Sequence, residues 1–317
     1  MLKLPQLKIG KLRPIFPIIQ GGMALRVSTA PLAAAVANAG GIGVLGASGM
    51  SSGELREEIK KARSLSSGPL GVNIMFALKS FPQLVRTAFD EKIDVIFTGA
   101  GFSRDIFKWG KDAGVPVVSI VSTPKLAFLA EKLGASAVVV EGTEAGGHLG
   151  TDKSLGEILP AVRKAIKIPL IAAGGIVDGK GISKMLQLGA DGVQMATRFV
   201  LSKECAVADS FKQMYLNAKE EDVVLIPSPV GMPGRALRNS FTAKIMGGGK
   251  VKPRNCDSCL KKCSSQYCIM EALENSRIGN VGEGVVFAGK NVHQVKDILS
   301  VQEIFDRLIS EVKAVPE

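Results

Sequence analysis

The sequence is poor in aromatic residues and contains no long uninterrupted apolar run. Phe, Trp and Tyr make up 5% of its 317 residues, too few for the stacking surfaces that bind single-stranded nucleic acid, so no nucleic-acid partner is expected. Residues 1–12 contain lysines but lack the apolar core of about 7–15 residues that a secretory signal needs. The most apolar window, residues 29–47, is rich in Ala and Gly. We interpret it as a helix running into a buried strand, so no membrane partner is expected either.

The cysteine content and the net charge indicate the cellular compartment and the kind of partner to expect. With no export signal, the five cysteines are expected to be reduced and the protein cytoplasmic. The formal net charge of +11 favours acidic partners such as a phosphorylated cofactor or an acidic carrier protein. The alternative is an ordinary solvated surface, because the basic residues are spread along the chain.

Short apolar runs alternate with longer amphipathic ones over residues 17–197. The short runs are aliphatic or β-branched with no charge in the middle, as strands buried on both faces require. Eight strand-then-helix units predict a closed (β/α)8 TIM barrel of the α/β class over residues 1–219, and the alternative is an open doubly wound sheet. The predicted strands are Pro17–Gln20, Gly43–Leu45, Leu70–Ile74, Val95–Thr98, Val117–Val121, Ala137–Glu141, Leu170–Ala173 and Gly192–Met195. The predicted helices are Thr29–Ala39, Ser51–Ser64, Phe81–Glu91, Ser103–Ala113, Thr123–Leu133, Ser154–Ile166, Lys180–Leu188 and Ser202–Ala218.

The alternation stops after the predicted barrel. Residues 220–296 are rich in Gly, Pro, Lys and Cys and poor in large apolar side chains. We expect them to form an irregular excursion that covers the active site, with a short helix over Ile269–Ser276, rather than a separate domain. Residues 297–317 are expected to return to the barrel through an amphipathic helix at Val301–Val312.

One glycine motif is misleading. Gly41 to Gly46 matches G-x-G-x-x-G, but a dinucleotide-binding loop must follow a strand and open a helix. Here the motif follows a helix and contains the strand itself. We therefore predict a helix stop and a closely packed strand.

Two other glycine loops lie where such barrels bind phosphate, after strands seven and eight. Gly174 and Gly175 follow the seventh strand and can turn backbone amides inward. Thr197 follows the eighth and can add a hydroxyl, and Arg198 can add a charge. The sequence therefore predicts a phosphate site at these loops, the alternative being two ordinary turns.

Chemistry-bearing residues follow other strands as well. Gly22 and Met23 follow the first strand, and Asn73 ends the third with an amide that can both donate and accept. The sixth strand runs into Glu141-Gly-Thr-Glu-Ala-Gly-Gly-His148. Glycines there allow close approach of a ligand, and the histidine can exchange a proton near neutral pH. We expect His148 to be functional and the other histidine, His293, to be structural.

These motifs together resemble a known family. Gln20-Gly-Gly-Met, Gly71-Val-Asn, the Glu141–His148 segment, Ala172-Ala-Gly-Gly-Ile and Gln194-Met-Ala-Thr-Arg-Phe are similar to those of the 2-nitropropane dioxygenase/nitronate monooxygenase family. The set also resembles the FMN-dependent enoyl-acyl-carrier-protein reductase. The similarity covers about residues 5–241 and the closing helix. It is specific for an FMN-binding barrel and less so for the substrate.

The resemblance implies a bound FMN and a role for each motif. It places the phosphate on Gly174, Gly175 and residues Gln194, Met195, Ala196 and Thr197. It places the flavin ring near Gly22, Met23, Asn73, Glu141 and Gly146. His148 would be the catalytic acid or base. Ala196 departs from the glycine usual in the family, which would cost about 1 kcal/mol if that residue needed a positive φ.

The implied function is FMN-dependent oxidation of a small nitronate-like molecule. The alternative is an enoyl-acyl-carrier-protein or quinone reductase that uses NAD(P)H. A further segment resembling the family, Ser228 to Phe241, contains Arg235 and Arg238. Either arginine could meet substrate or a nicotinamide phosphate, or could be a surface or interface residue. The oligomeric state, monomer or homodimer, is left open.

Four cysteines form the least expected feature. They occur within 13 residues, and such spacing suits an iron–sulfur cluster or a zinc ion, although it matches no standard pattern for either. Unbound or regulatory thiols are the alternative. Cys205 stands alone and is expected to be a packing residue. The four candidate metal ligands are Cys256, Cys259, Cys263 and Cys268.

Overall fold

The computed structural model describes residues 4–315. Eight parallel strands form a barrel in the order β1-β9-β8-β6-β5-β4-β3-β2. They are β1 Ile18–Gln20, β2 Gly43–Gly46, β3 Leu70–Met75, β4 Val95–Gly99, β5 Val117–Val121, β6 Ala137–Glu141, β8 Leu170–Ala173 and β9 Gly192–Met195. The intervening helices are α1 Ala30–Asn38, α2 Ser52–Leu65, α3 Phe81–Asp90, α4 Asp105–Ala113, α5 Pro124–Lys132, α6 Leu155–Ala165 and α7 Gly179–Gln187.

The first and last members of that order meet and close the barrel. Ile19 and Ile42 form a parallel bridge, and the Gln20 amide donates to the Ile42 carbonyl over 3.1 Å. Closure confirms the predicted (β/α)8 barrel over the open sheet. Every predicted strand is present within one residue at either end.

The barrel interior is a separate apolar core, because alternate residues of each strand point inward. It contains Ile19, Val44, Phe97 and Val139, all buried. Leu7 and Ile9, from the segment before β1, belong to the same core and close the amino-terminal end of the barrel. The opposite end, where the strands finish, is left for a site.

Close packing also explains the G-x-G-x-x-G motif. Gly43 begins β2, and a Cβ there would lie 1.8 Å from the Ala33 carbonyl oxygen of α1. The glycine is therefore needed for helix–strand contact, as predicted, and the motif opens no helix.

After β9 the chain forms α8 Thr197–Val200 and α9 Asp209–Asn217, so the eighth helix begins later than predicted. The excursion is more regular than its composition suggests. It contains β10 Val223–Ile226, β11 Gly234–Leu237, α10 Ser240–Met246 and α11 Ile269–Arg277, and α12 Val301–Ala314 follows it.

Strands β10 and β11 form a small antiparallel sheet with β7, Gly147–His148. Each contributes so few residues that sequence periodicity could not reveal it. The pairing matters because it attaches the excursion directly to the loop after β6. No helix within residues 4–315 is long and apolar enough to span a membrane.

Candidate active site

A cavity of about 230 Å³ opens at the carboxyl ends of the barrel strands. Its walls come from the ends of β1, β3, β4, β5, β6 and β9, and from the excursion, which adds Phe287 and Ala288. Inward-pointing residues near those strand ends, Asn73, Glu141 and Gln194, line it. Most of its lining is apolar, and a few polar side chains lie at its base. Cavities of this kind hold a cofactor or a small ligand.

A smaller cavity of about 50 Å³ adjoins it between the loops after β8 and β9. Gly174 and Gly175 line it with φ values of +108° and +69°. A Cβ on Gly175 would lie 2.8 Å from the Glu144 Cβ. A side chain at this position would therefore suffer both from the positive φ and from the close contact with Glu144. These loops have the shape of a backbone cradle for a phosphate.

The twelve predicted catalytic and cofactor-binding residues all line one or both cavities. They come from the ends of five barrel strands, β1, β3, β6, β8 and β9, which the barrel brings to one rim. Their individual roles remain predictions. They are Gly22, Met23, Asn73, Glu141, Gly146, His148, Gly174, Gly175, Gln194, Met195, Ala196 and Thr197.

The side-chain amide of Asn73 has a hydrogen-bond partner at its nitrogen and none at its oxygen. Its Nδ2 donates to the Gly22 carbonyl over 2.8 Å, while its Oδ1 is buried with no hydrogen-bond partner. A Cβ on Gly22 would lie 2.5 Å from the Asn73 Cβ, so the glycine makes room for the amide. A buried acceptor without a donor is costly, and a ligand N–H would satisfy it.

Glu141 ends β6 and lies between the two cavities. Burial raises the pKa of its carboxyl from 4.5 to about 7. The side chain therefore exchanges its proton near neutral pH, because the low-polarity surroundings disfavour the carboxylate.

His148 lies on β7, where it pairs with Gly234 of β11. Its Nε2 is 2.7 Å from the Ser228 Oγ, and its ring meets Phe287 edge-on with centroids 5.2 Å apart. Burial lowers the pKa of His148 from 6.5 to about 4. The imidazole is therefore neutral at neutral pH. His293, by contrast, lines neither cavity.

Ala196 is not strained. Its φ is −120°, so the loop after β9 does not use the positive φ that a glycine would have supplied. The departure from the family pattern needs no local adjustment of the kind a left-handed residue would impose.

The expectation that Arg198 adds charge to the phosphate site is wrong. The guanidinium is turned away and buried, with NH1 2.6 Å from the Asp297 Oδ1 and NH2 2.8 Å from the Leu201 carbonyl. A buried arginine needs a carboxylate partner, and Asp297 provides it from a segment that the sequence does not place nearby. Arg198 therefore joins the barrel to the chain before α12.

Of the two arginines in the segment that resembles the family, Arg235 holds the loop after β6 and Arg238 is exposed. The Arg235 Nε donates to the Thr143 carbonyl over 3.0 Å, which fixes the loop between β6 and β7. Arg238 is exposed. Neither lines the two cavities at the strand ends.

Sequence reasoning missed residues that α9 and the excursion bring to the site. Gly289 donates its amide to the Thr197 Oγ1 over 3.1 Å, and the Asn291 Nδ2 donates to the Gly175 carbonyl over 2.6 Å. Tyr215 lines the larger cavity and donates to the Phe287 carbonyl. The resemblance over residues 228–241 was a signal for Ser228, but no pattern marked the others.

The cysteine-rich segment is not arranged as a metal site. Across residues 4–315 no three His, Cys, Asp or Glu side chains are grouped to hold a metal ion. Cys256 and Cys263 are exposed. The segment instead lies along the loop after β3, where the Lys79 amide donates to the Cys259 carbonyl over 2.9 Å. Its backbone bonds thus follow that loop rather than surround a common centre, and bound zinc or iron–sulfur remains a prediction. Cys205 is buried, as expected of a packing residue.

Lys261 anchors the same segment. Its Nζ lies 3.4 Å from the centre of the Phe76 ring, and Leu260 forms an antiparallel bridge with Leu78. A cation over an aromatic face is an attractive contact. The segment is therefore docked on the rim of the barrel, beside the cavity.

A larger cleft, of about 810 Å³, lies at the amino-terminal end of the barrel near α4 and the start of β5. It contains none of the predicted site residues. Active sites in this fold form at the carboxyl ends of strands, so we assign the site to the smaller cavities.

Fold and cavities together define a (β/α)8 barrel with two adjoining cavities at the carboxyl ends of its strands. The chain belongs to the nitronate monooxygenase family, whose model matches residues 6–85 and 78–311. With that family membership, the protein is an FMN-type oxidoreductase.

Two relatives and one solved structure illustrate the range of the match. The chain is 32% identical to a Rhodococcus jostii (strain RHA1) protein named (3aS,4S,5R,7aS)-5-hydroxy-7a-methyl-1-oxo-octahydro-1H-indene-4-carboxyl-CoA dehydrogenase, over 93% of this chain and 92% of that one. It is 32% identical to a probable nitronate monooxygenase of Staphylococcus aureus (strain MSSA476), over 73% and 77%. FabK from Thermotoga maritima superposes with a TM-score of 0.86 at 33% identity, over 94% of this chain and 92% of that one.

Proposed function

We propose that this protein is an FMN-dependent oxidoreductase of the nitronate monooxygenase type, which oxidises a small nitronate-like substrate with His148 as its acid/base. One observation carries the proposal. A glycine-walled pocket suited to a phosphate adjoins a cavity that has an unpaired amide oxygen on its floor and a neutral imidazole on its wall.

The residues present fit an FMN. The positive-φ glycines Gly174 and Gly175 would hold its phosphate with the Thr197 hydroxyl. Asn73 would accept a hydrogen bond from a ring N–H through its Oδ1, which has no protein partner. Gly22 would let the ring approach the strand ends. When bound, FMN supplies the two-electron chemistry.

The chain's own task is to handle protons and exclude water. At neutral pH the His148 ring is neutral, because burial holds its pKa near 4. An anionic nitronate beside the ring would raise that pKa, since a nearby negative charge favours the imidazolium. Phe287 packs against the ring and closes the cavity on the excursion side. His148 is then able to take the α-proton of a neutral nitroalkane, which leaves the nitronate anion beside the imidazolium, and to return that proton to the anion.

An anaerobic absorbance titration of the FMN-loaded protein tests the proposal. Alkyl nitronate alone should bleach the oxidised flavin band, with no nicotinamide present. Replacement His148→Ala should leave FMN content unchanged and lower turnover by about 10²–10⁴-fold. A flavin band that nitronate leaves untouched would refute the substrate assignment. Unchanged turnover in the variant would refute the role of His148.

A second candidate is redox chemistry on an acyl thioester with NAD(P)H. The Rhodococcus relative named as a carboxyl-CoA dehydrogenase spans 93% of this chain, and a net charge of +11 suits an acidic carrier protein or coenzyme. The same titration separates the two candidates. Rapid bleaching by NADH or NADPH, followed by reoxidation with an enoyl thioester, would favour the reductase, whereas no hydride transfer from either would exclude it.

A further inference from the structure

Residues 287–291 of the excursion, here called the strap, cross the loops that surround the smaller cavity. The Gly289 amide donates to the Thr197 Oγ1 over 3.1 Å, just after β9. The Asn291 Nδ2 donates to the Gly175 carbonyl over 2.6 Å, just after β8. The strap therefore joins the two loops that form the predicted phosphate site.

The strap also fits closely against the loop after β6. The Lys290 amide donates to the Glu144 carbonyl over 2.9 Å. A Cβ on Gly146 would lie 2.6 Å from the Ala288 carbonyl carbon, so the glycine makes room for the strap. The strap is thus held against loops that follow three different strands.

The Asn291 contact sets the orientation of one peptide group in the loop after β8. Peptide groups are planar, and none in the described chain is cis, so the Gly175 C=O and the Ile176 N–H point in opposite directions. Gly175 and Ile176 line the smaller cavity, whereas Asn291 lies outside its lining. Because the Gly175 carbonyl is directed at Asn291, the Ile176 amide is turned toward the cavity.

The Ile176 amide has no acceptor within residues 4–315, and Ile176 is 5% exposed. A buried N–H without an acceptor is costly, and a phosphate oxygen would satisfy it. The Thr197 hydroxyl is arranged in a similar way. Its oxygen accepts from Gly289, and its own proton donates to no acceptor in the described residues, so it is available to a ligand.

We infer that Asn291 is a positioning residue of the phosphate cradle, which holds the Gly175–Ile176 peptide so that the Ile176 amide donates to the FMN phosphate. The inference rests on the phosphate site of the proposed function and deepens it, because it assigns a further donor and says what orients it. Glycine has unusual backbone freedom, and Gly174 and Gly175 both have a positive φ. The hydrogen bond from Asn291 restricts that freedom.

A comparison of FMN with riboflavin, which lacks the phosphate, tests the inference. In flavin fluorescence titrations, Asn291→Ala should weaken FMN binding about 3–10-fold and riboflavin binding less than about twofold. Asn38→Ala is the matched control, because the Asn38 Nδ2 also donates to a backbone carbonyl, that of Leu65 over 3.0 Å, between α1 and α2. It should change neither affinity.

Amide NMR of protein labelled with ¹⁵N-isoleucine gives a second readout that needs no turnover. Loss of one signal in Ile176→Val assigns the Ile176 amide. FMN should move this proton downfield from its position in the flavin-free protein, because the phosphate is a charged acceptor. In Asn291→Ala the displacement should be smaller.

Equal loss of affinity for both flavins, unchanged FMN affinity in Asn291→Ala, or an Ile176 signal that FMN does not move would overturn the inference. Its failure is distinguishable from failure of the proposed function. Flavin binding is measured without substrate, whereas the proposed function fails if nitronate does not bleach the bound flavin.

Discussion

Replacing Glu141 by glutamine should make the stability of the FMN-free protein less dependent on pH. Burial raises the pKa of this carboxyl from 4.5 to about 7 in the folded protein. The folded state therefore binds the proton more tightly than the unfolded chain. The stabilisation is fully present below pH 4.5, declines as pH rises, and is lost above pH 7.

The size of the effect follows from the two pKa values. A rise from 4.5 to about 7 corresponds to about 3 kcal/mol at about 1.4 kcal/mol per pH unit. Between pH 5 and pH 8.5 the wild-type protein should lose about 2–3 kcal/mol through this group. Glutamine has nearly the same shape and does not titrate, so Glu141→Gln should not show that loss.

Urea denaturation at pH 5 and pH 8.5 measures the difference. The change in unfolding free energy caused by Glu141→Gln should be more favourable at pH 8.5 by about 2–3 kcal/mol. Glu220→Gln, at an exposed position, is the control and should have the same effect at both pH values. If Glu141→Gln also had equal effects, the carboxyl would not be held protonated by its surroundings.

Three further predictions concern the phosphate cradle, the buried arginine and the thiols. Gly175→Ala should weaken FMN binding at least about tenfold in a flavin fluorescence titration, because φ is +69° and the new Cβ would meet Glu144. Gly156→Ala, where a Cβ meets nothing within 4 Å, should bind FMN normally. Arg198→Ala should lower the unfolding free energy by about 1–3 kcal/mol, because the carbonyls of Leu201 and Asp297 lose the hydrogen bonds of the guanidinium. The Asp297 carboxylate is 36% exposed and keeps its ion pair with Arg307, so it is not left uncompensated. FMN affinity in the folded fraction should stay near wild type, and a selective loss of affinity would contradict the view that Arg198 plays no part at the phosphate site. If the thiols bind metal, elemental analysis should find stoichiometric zinc or iron. That metal should be lost when all four cysteines are replaced by serine. A metal-free protein with four reactive thiols would contradict the prediction of a metal site. The four are Cys256, Cys259, Cys263 and Cys268.

The barrel was predictable because its signals are local. Strands such as Val117–Val121 are short, apolar and uncharged, and the helices between them open at capping residues such as Ser154 and Asp178. Hydrogen bonding within each element and burial of each apolar face are both encoded by neighbours along the chain. The excursion was less predictable, because β7 and β11 contribute only short pairings whose stability comes from contact with each other.

The candidate site likewise has residues that the sequence predicts and residues that it does not. The glycines after β8 and the histidine after β6 could be found in sequence, because a barrel brings all its strand ends to one rim regardless of side-chain detail. Which loops from elsewhere would cover that rim could not be found. Phe287 and Gly289 reach the site from a segment with no distinguishing pattern.

The sequence by itself determined the eight-fold alternation, the backbone freedom at Gly174 and Gly175, and the placing of His148 after a buried strand. These depend on the local preferences of each residue and on the periodicity of burial. Only the tertiary structure decided that Arg198 pairs with Asp297, 99 residues away, and that His148 contacts Ser228, 80 residues away. Buried polar groups take whichever complementary partner the packed chain brings within about 3 Å, and that proximity is a property of the whole fold.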